Sequence, residues 1–263
     1  MKKRQFGRFG VQKNWTIPYA VFLLVFVITP LILIAIYAFT DADGQFSLAN
    51  FQKFIHHGET VNTFVYSIGI ALITTLVCLI IGYPVAWILS QNIFSSTSVI
   101  VMLFILPMWI NTLIRTLATV ALFDFLQLPL GEGALIFGLV YNFLPFMIYP
   151  IYNVLNKTDH SLTEAAQDLG ACPLKVFTRV TLPLSMPGVT SGILMVFMPT
   201  VSTFAIAELL TLNNIKLLGT TVQENINNGM WNYGAAISLV MLLLIGVSSL
   251  FTDDKSGEEG GLL

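Results

Sequence analysis

The chain has 263 residues, of which 56% are hydrophobic and only 10% charged, with a formal net charge of −2 and a mean hydropathy of +0.80. So little polar surface excludes a soluble globular domain and places the chain in a bilayer. Its 12 basic side chains form no patch of the kind that binds nucleic acid. Of its two cysteines, Cys78 lies in an apolar run and Cys172 in a polar one, with no metal-ligand neighbour at suitable spacing, so neither a disulfide nor a zinc site is expected.

Residues 1–16 carry Lys2, Lys3, Arg4, Arg8 and Lys13 and lead into an apolar run at 17–39. That run of 23 residues exceeds the roughly 7–15 of a signal-peptide core, and no small-residue cleavage site follows it, so it is expected to be a retained anchor. Crossing about 30 Å of hydrocarbon at about 1.5 Å per residue takes roughly 20 mainly apolar residues. Five further segments meet that requirement, at 65–89, 98–117, 134–155, 188–210 and 234–251. The runs are continuous rather than alternating, and a backbone in lipid must satisfy its own hydrogen bonds, so helices are expected and strands are not. The expected architecture is all-α and integral to the membrane, with a basic segment at 1–16, six transmembrane helices within 17–251 and a tail at 252–263.

Basic flanks stay on the cytoplasmic side. With both termini inside, the inner segments hold Lys2, Lys3, Arg4, Arg8, Lys13, Lys157, Lys175, Arg179 and Lys255, and the outer loops hold Lys53 and Lys216. Nine against two puts both termini and the loop 156–187 in the cytoplasm. The tail departs from this with four acids and one lysine, but acids weigh little in the rule. Arg115, near the outer end of the third span, is expected to snorkel to the interface. Pro30, Pro84, Pro107, Pro145, Pro150 and Pro199 fall in spans, where each removes a backbone donor and favours a kink suited to a gated pathway.

The loop between the fourth and fifth spans reads as two short helices joined by a bend. Ser161 or Thr163 can cap the first, with Glu164, Gln167 and Asp168 near its start and Gly170 at its end. Pro173 opens the second, which holds Lys175, Phe177 and Arg179, and Pro183 is expected to stop it. Helix propensity alone does not separate this from an ordinary interfacial loop.

The order Glu-Ala-Ala, three residues, Gly, nine residues, an aliphatic, any residue, Leu-Pro is met by Glu164, Ala165, Ala166, Gly170, Val180, Leu182 and Pro183. It resembles the EAA loop of permease subunits in binding-protein-dependent ABC importers, with Val in place of the more usual Ile. The resemblance implies a type I importer permease fold in a bacterial cell membrane, with the hairpin seated in a groove of a separate ATPase subunit as a coupling helix. Glu164, Ala165, Ala166, Asp168, Leu169, Gly170, Leu182 and Pro183 are the implied coupling residues. The chain carries no G-x-x-x-x-G-K-[ST] phosphate loop, so ATP is expected to be used by that partner and no cofactor by this chain. His56, His57 and His160 lie in predicted loops and belong to no Ser/His/Asp or Cys/His set, so no catalysis is expected.

The stretches 82–87, 107–115, 138–141, 144–147, 164–171 and 182–188 resemble those of B-type permeases from spermidine and putrescine importers, although 118–133 is shorter than that branch leads one to expect. The resemblance implies two ATPase copies, a second and non-identical permease, an extracellular substrate-binding protein and surrounding lipid as partners. A polyamine spaces ammonium groups along methylenes, so its pathway calls for carboxylates with aromatic faces between them. Glu208, Asp124, Trp109, Tyr141, Tyr149 and Phe204 are the candidates, and Glu208 can equally serve a subunit contact. Ferric iron, thiamine or sulfate are alternative cargoes within the family. An ion-gradient-driven transporter should show paired halves with broken helices, and no such repeat is evident. A membrane-embedded enzyme has no convergent catalytic set to support it.

Overall fold

Long apolar runs free of charge become long helices because lipid offers their backbones no other partner. The structure, a computed structural model, describes residues 18–41, 44–91, 97–159 and 161–257, apart from the side chains at 98 and 250–257. The basic residues of 1–16, His160 and the tail end 258–263 lie outside the described residues, as does the side chain of Lys255. Among the described residues, five helices are long and apolar enough to cross a membrane: α1 (Pro18–Ala38), α3 (Gly58–Ser90), α6 (Glu132–Lys157), α8 (Pro173–Ser202) and α11 (Trp231–Gly257). Between them lie α2 (Ala49–His56), α4 (Thr97–Ile105), α5 (Thr112–Phe125), α7 (Ser161–Asp168), α9 (Ala205–Thr211) and α10 (Leu218–Asn227).

The third predicted span is not one helix. After α4 the chain makes a tight turn at Leu106–Trp109, and α5 departs at 96°. Two residues cause the break. Pro107 cannot continue the α-helical ladder, and Asn111, extended at ψ 131°, caps the next helix by accepting from the Leu113 amide at 2.8 Å. The fifth predicted span also differs. Its helix starts fifteen residues earlier than expected, at Pro173, and runs unbroken through Pro183 to Ser202, with α9 following as a separate piece. Pro183 does not stop the helix because a wide turn at Phe177–Thr181 precedes it. In that turn the Leu182 amide reaches back to the Phe177 carbonyl, so the ladder restarts at the residue that has no N–H to give.

α6 lies at the centre, packed against α3 and α8. Leu135, Leu139, Met147 and Ile151 on α6 are fully buried among Ile70, Cys78 and Ala86 of α3 and Val189 and Val196 of α8. Glycine permits the close approach: a Cβ on Gly188 would lie 2.9 Å from both the Ile151 Cα and the Pro150 carbonyl oxygen. Gly188→Val is therefore expected to lower stability by about 1–3 kcal/mol by forcing α8 off α6. A lower apparent melting midpoint of the purified protein in detergent checks it, and an unchanged midpoint contradicts it.

On one flank, α1 packs against α11. Polar caps fix that pair: Asn232 Nδ2 donates to the Thr40 and Asp41 carbonyls at 2.6 and 3.1 Å, and Asn50 Nδ2 donates to those of Ala38 and Thr40 at 3.2 and 2.9 Å. α10 is joined to α3 where the Leu218 amide donates to Ser67 Oγ at 2.8 Å.

Candidate functional site

The hairpin between α6 and α8 is built from local signals. At the start of α7, Asp159 Oδ1 accepts from the Ser161 amide at 3.0 Å. At the other end the Gly170 amide donates to the Gln167 carbonyl at 2.8 Å and the Ala171 amide to that of Ala166 at 3.1 Å, which together make a Schellman motif. That motif needs a residue in the left-handed region, and Gly170 supplies it with φ +78°. Pro173 then opens α8 with its fixed φ.

Most of the residues expected to couple are presented outward. Glu164, Ala165, Asp168, Leu169, Gly170 and Pro183 are exposed and Ala166 is half-buried. Leu169, at 89% exposure, forms an apolar tip beside the exposed Leu174, and a shallow groove next to it is edged by Lys175 and Arg179. Leu182 differs from the others, because it packs against the main apolar core.

Behind the tip, the hairpin is joined to the helical body by aromatic rings. Phe177 meets Tyr83 edge-on at 5.7 Å between centroids and Trp87 at 6.4 Å. The Tyr83 and Ser185 hydroxyls share a hydrogen bond of 2.9 Å, linking α3 to α8. A cavity of about 130 Å³ lies beside these rings, reaching Asp159 and Thr163 of the hairpin. Such edge-to-face pairs contribute roughly 0.5–1.5 kcal/mol each beyond their buried area. Phe177 thus joins the rear of the hairpin to α3. Phe177 was not singled out from the sequence for this role. Its signal was the placing of Tyr83 and Trp87 one helical turn apart in the stretch 82–87.

The six pathway candidates are spread along the broken helices. Trp109, 88% exposed, stands at the 96° break, and exposed Asp124 lies near the end of α5. Phe204 occupies the break between α8 and α9, with half-buried Glu208 one turn further on, its amide donating to the Phe204 carbonyl at 3.0 Å. Tyr141 and Tyr149 are exposed on α6. Among the described residues no side-chain hydrogen bond joins any two of the six. α9 nevertheless packs against both α5 and α6, which puts Glu208 on the helix adjoining those of Asp124 and Tyr141.

Arg115 does not reach outward, as a snorkelling side chain would. It is 4% exposed and points between α5 and α6, where Nη1 donates to the Asn142 carbonyl at 3.4 Å and the guanidinium lies 5.9 Å from the centre of the Tyr141 ring. The break at Pro107–Asn111 turns the helix bearing Arg115, so a continuous span gave the wrong direction for this side chain.

A family described as binding-protein-dependent transport system inner membrane component matches residues 82–253. The spermidine/putrescine transport system permease protein PotB of Escherichia coli K12 is 33% identical over 252 residues, covering 87% of this chain and 91% of that protein. PotB of Haemophilus influenzae is 34% identical, covering 86% and 87%. A PotB homolog of Mycoplasma genitalium is 28% identical, covering 92% and 91%. Among solved structures, a bacterial ABC transporter involved in the import of the acidic polysaccharide alginate aligns with a TM-score of 0.75 at 14% identity, over 95% of this chain and 97% of that one. The MetNI methionine ABC transporter in an inward-facing conformation aligns with a TM-score of 0.59 at 19% identity, over 74% and 93%. At these identities the two structures speak to the fold, which is that of ABC importer permeases.

Proposed function

The chain belongs to the family of inner membrane components of binding-protein-dependent ABC transport systems, and from that premise we propose that it imports polyamines, with spermidine and putrescine as the cargo. In this family the permease forms the route through the membrane and ATP is used by a partner ATPase. The observation that carries the cargo is the 33–34% identity to spermidine/putrescine permeases over nearly the whole chain.

On this reading two ATPase copies each receive a coupling hairpin, and the exposed tip at Leu169 and Leu174, with Glu164 and Asp168 beside it, is the surface offered by this chain. The small Ala165 and Ala166 permit close packing against the ATPase. Leu182, half-buried against the core, passes movement from the hairpin into the helical body, and Pro183 lies next to it at the restart of the helix. Both termini and the region 156–187 face the cytoplasm, in keeping with the distribution of Lys and Arg. A second, non-identical permease completes the pathway, and an extracellular binding protein delivers the cargo. Trp109, Asp124, Tyr141, Tyr149, Phe204 and Glu208 line or border the route, supplying ring faces and carboxylates to successive ammonium groups.

Uptake of labelled spermidine and putrescine in a transport-null strain carrying the partner subunits tests this. Uptake restored by this chain is the expected result. No uptake, despite normal membrane expression and ATPase association, would discard polyamine as the cargo.

A further inference from the structure

A guanidinium offers five donors, and burying it is costly unless they are used. Arg115 uses them poorly. Its bond to the Asn142 carbonyl is long at 3.4 Å, its distance of 5.9 Å from the Tyr141 ring centre is at the far edge of cation–π contact, and its Nε has no hydrogen-bond partner among the described residues. Beside it, Asn142 is fully buried with its Oδ1 also unpartnered, while its Nδ2 is committed to the Gly138 carbonyl at 2.8 Å. Two orphaned polar groups thus belong to a facing pair of residues on α5 and α6. Their contacts hold a charge in place without satisfying it.

The partners that Arg115 does have are those an ammonium group would seek, namely the face of Tyr141 and a carbonyl oxygen. Tyr141 is 43% exposed, so its ring is reachable from outside the helix pair. α5 follows the 96° break and is therefore not tied by a continuous helix to α4. α9, which packs against α5 and α6, carries half-buried Glu208, so an acid lies on an adjoining helix for a released cation.

We propose that Arg115 is a captive cation, a positioning residue that occupies the Tyr141 ring and the Asn142 carbonyl while no substrate is present and is displaced by an ammonium group of the cargo. Its hold ties α5 to α6 and keeps the route closed between transport cycles. The weakness of that hold keeps the cost of displacement low. The identity of the displacing ion rests on the polyamine reading above; the closing hold itself does not.

The test uses the complete transporter with Arg115→Met, which keeps an unbranched stem and loses the guanidinium charge, and Arg115→Lys, which keeps the charge. Arg115→Met is expected to raise ATP hydrolysis in the absence of cargo and to lower the half-saturating spermidine concentration, each by roughly threefold, with maximal uptake little changed. Arg115→Lys should behave as wild type. Tyr141→Leu, which removes the ring and leaves the arginine, should also raise cargo-free hydrolysis, and it serves if the Met variant does not assemble. Unchanged hydrolysis and half-saturation in Arg115→Met, unchanged hydrolysis in Tyr141→Leu, or a Lys variant that matches the Met variant would overturn the proposal. If the wild-type complex carries no polyamine but Arg115→Met still raises hydrolysis, the hold is supported and only the cargo is wrong.

Discussion

Gly170→Val is expected to lower polyamine uptake steeply while leaving the protein in the membrane at normal levels. Gly170 sits at φ +78°, where a β-branched side chain costs about 1–2 kcal/mol or more. The strain falls on the two amide bonds that close the end of α7, from Gly170 to Gln167 and from Ala171 to Ala166. α7 has only eight residues and buries none, so it has little packing energy with which to absorb such a penalty. The expected outcome is an unwound hairpin tip on an intact helical body, because nothing lies within 4 Å of a Cβ at this position. Uptake should fall by about tenfold or more, since a penalty of 1.4 kcal/mol already shifts an equilibrium tenfold. Gly170→Asn, whose side chain tolerates the left-handed region, should retain a substantial part of the uptake. Equal uptake by the Val variant and wild type would show that the shape of the tip does not matter for coupling.

Glu164→Lys has the second largest expected effect, and it acts by a different route. Glu164 lies in the first turn of α7 and is exposed. Its interaction with the helix dipole is worth only about 0.3–1 kcal/mol, so charge reversal should barely disturb the fold. A large functional loss would therefore report on the surface that this carboxylate meets. The expected result is failure of the ATPase subunit to co-purify with the permease and uptake reduced by about tenfold or more, with an unchanged melting midpoint. Glu164→Gln, which keeps the hydrogen-bonding shape, should lose less than Glu164→Lys. Intact ATPase association and uptake in a normally expressed Glu164→Lys protein would remove Glu164 from the coupling surface.

The spans with unbroken apolar character were legible in the sequence to within a few residues at several ends. The prediction of 65–89 corresponds to the later part of Gly58–Ser90, and 134–155 to most of Glu132–Lys157. The hairpin was legible as well, because Gly170 and Pro173 are punctuation with a local mechanism. The misreadings have local causes too. Asn111 lies inside an apolar run, whose continuous hydropathy conceals the helix start that it caps, and the direction of Arg115 was lost with it. Pro183 was read as a stop because the wide turn at Phe177–Thr181 has no sequence signature of its own. The pathway candidates were chosen for chemistry alone. Their placement depends on breaks and on helix packing between residues distant in the chain, such as α9 against α5 and α6.

The role of Phe177 belongs to the same class. Its contact with Tyr83 and Trp87 joins residues about ninety positions apart, which periodicity within one helix does not reveal. The contact also gives the hairpin two distinct faces, an exposed tip at Leu169 and an aromatic rear set against α3. On the proposed reading the tip meets the ATPase and the rear passes its movement to α3.

ATP-driven polyamine import through the hairpin is tested most directly in proteoliposomes holding the complete transporter, with ATP at the ATPase face and labelled putrescine and binding protein on the other. Putrescine accumulation that requires ATP, and that Glu164→Lys lowers steeply in vesicles containing equal permease, is the expected result. Accumulation that proceeds without ATP, or that is unchanged by Glu164→Lys, would contradict it.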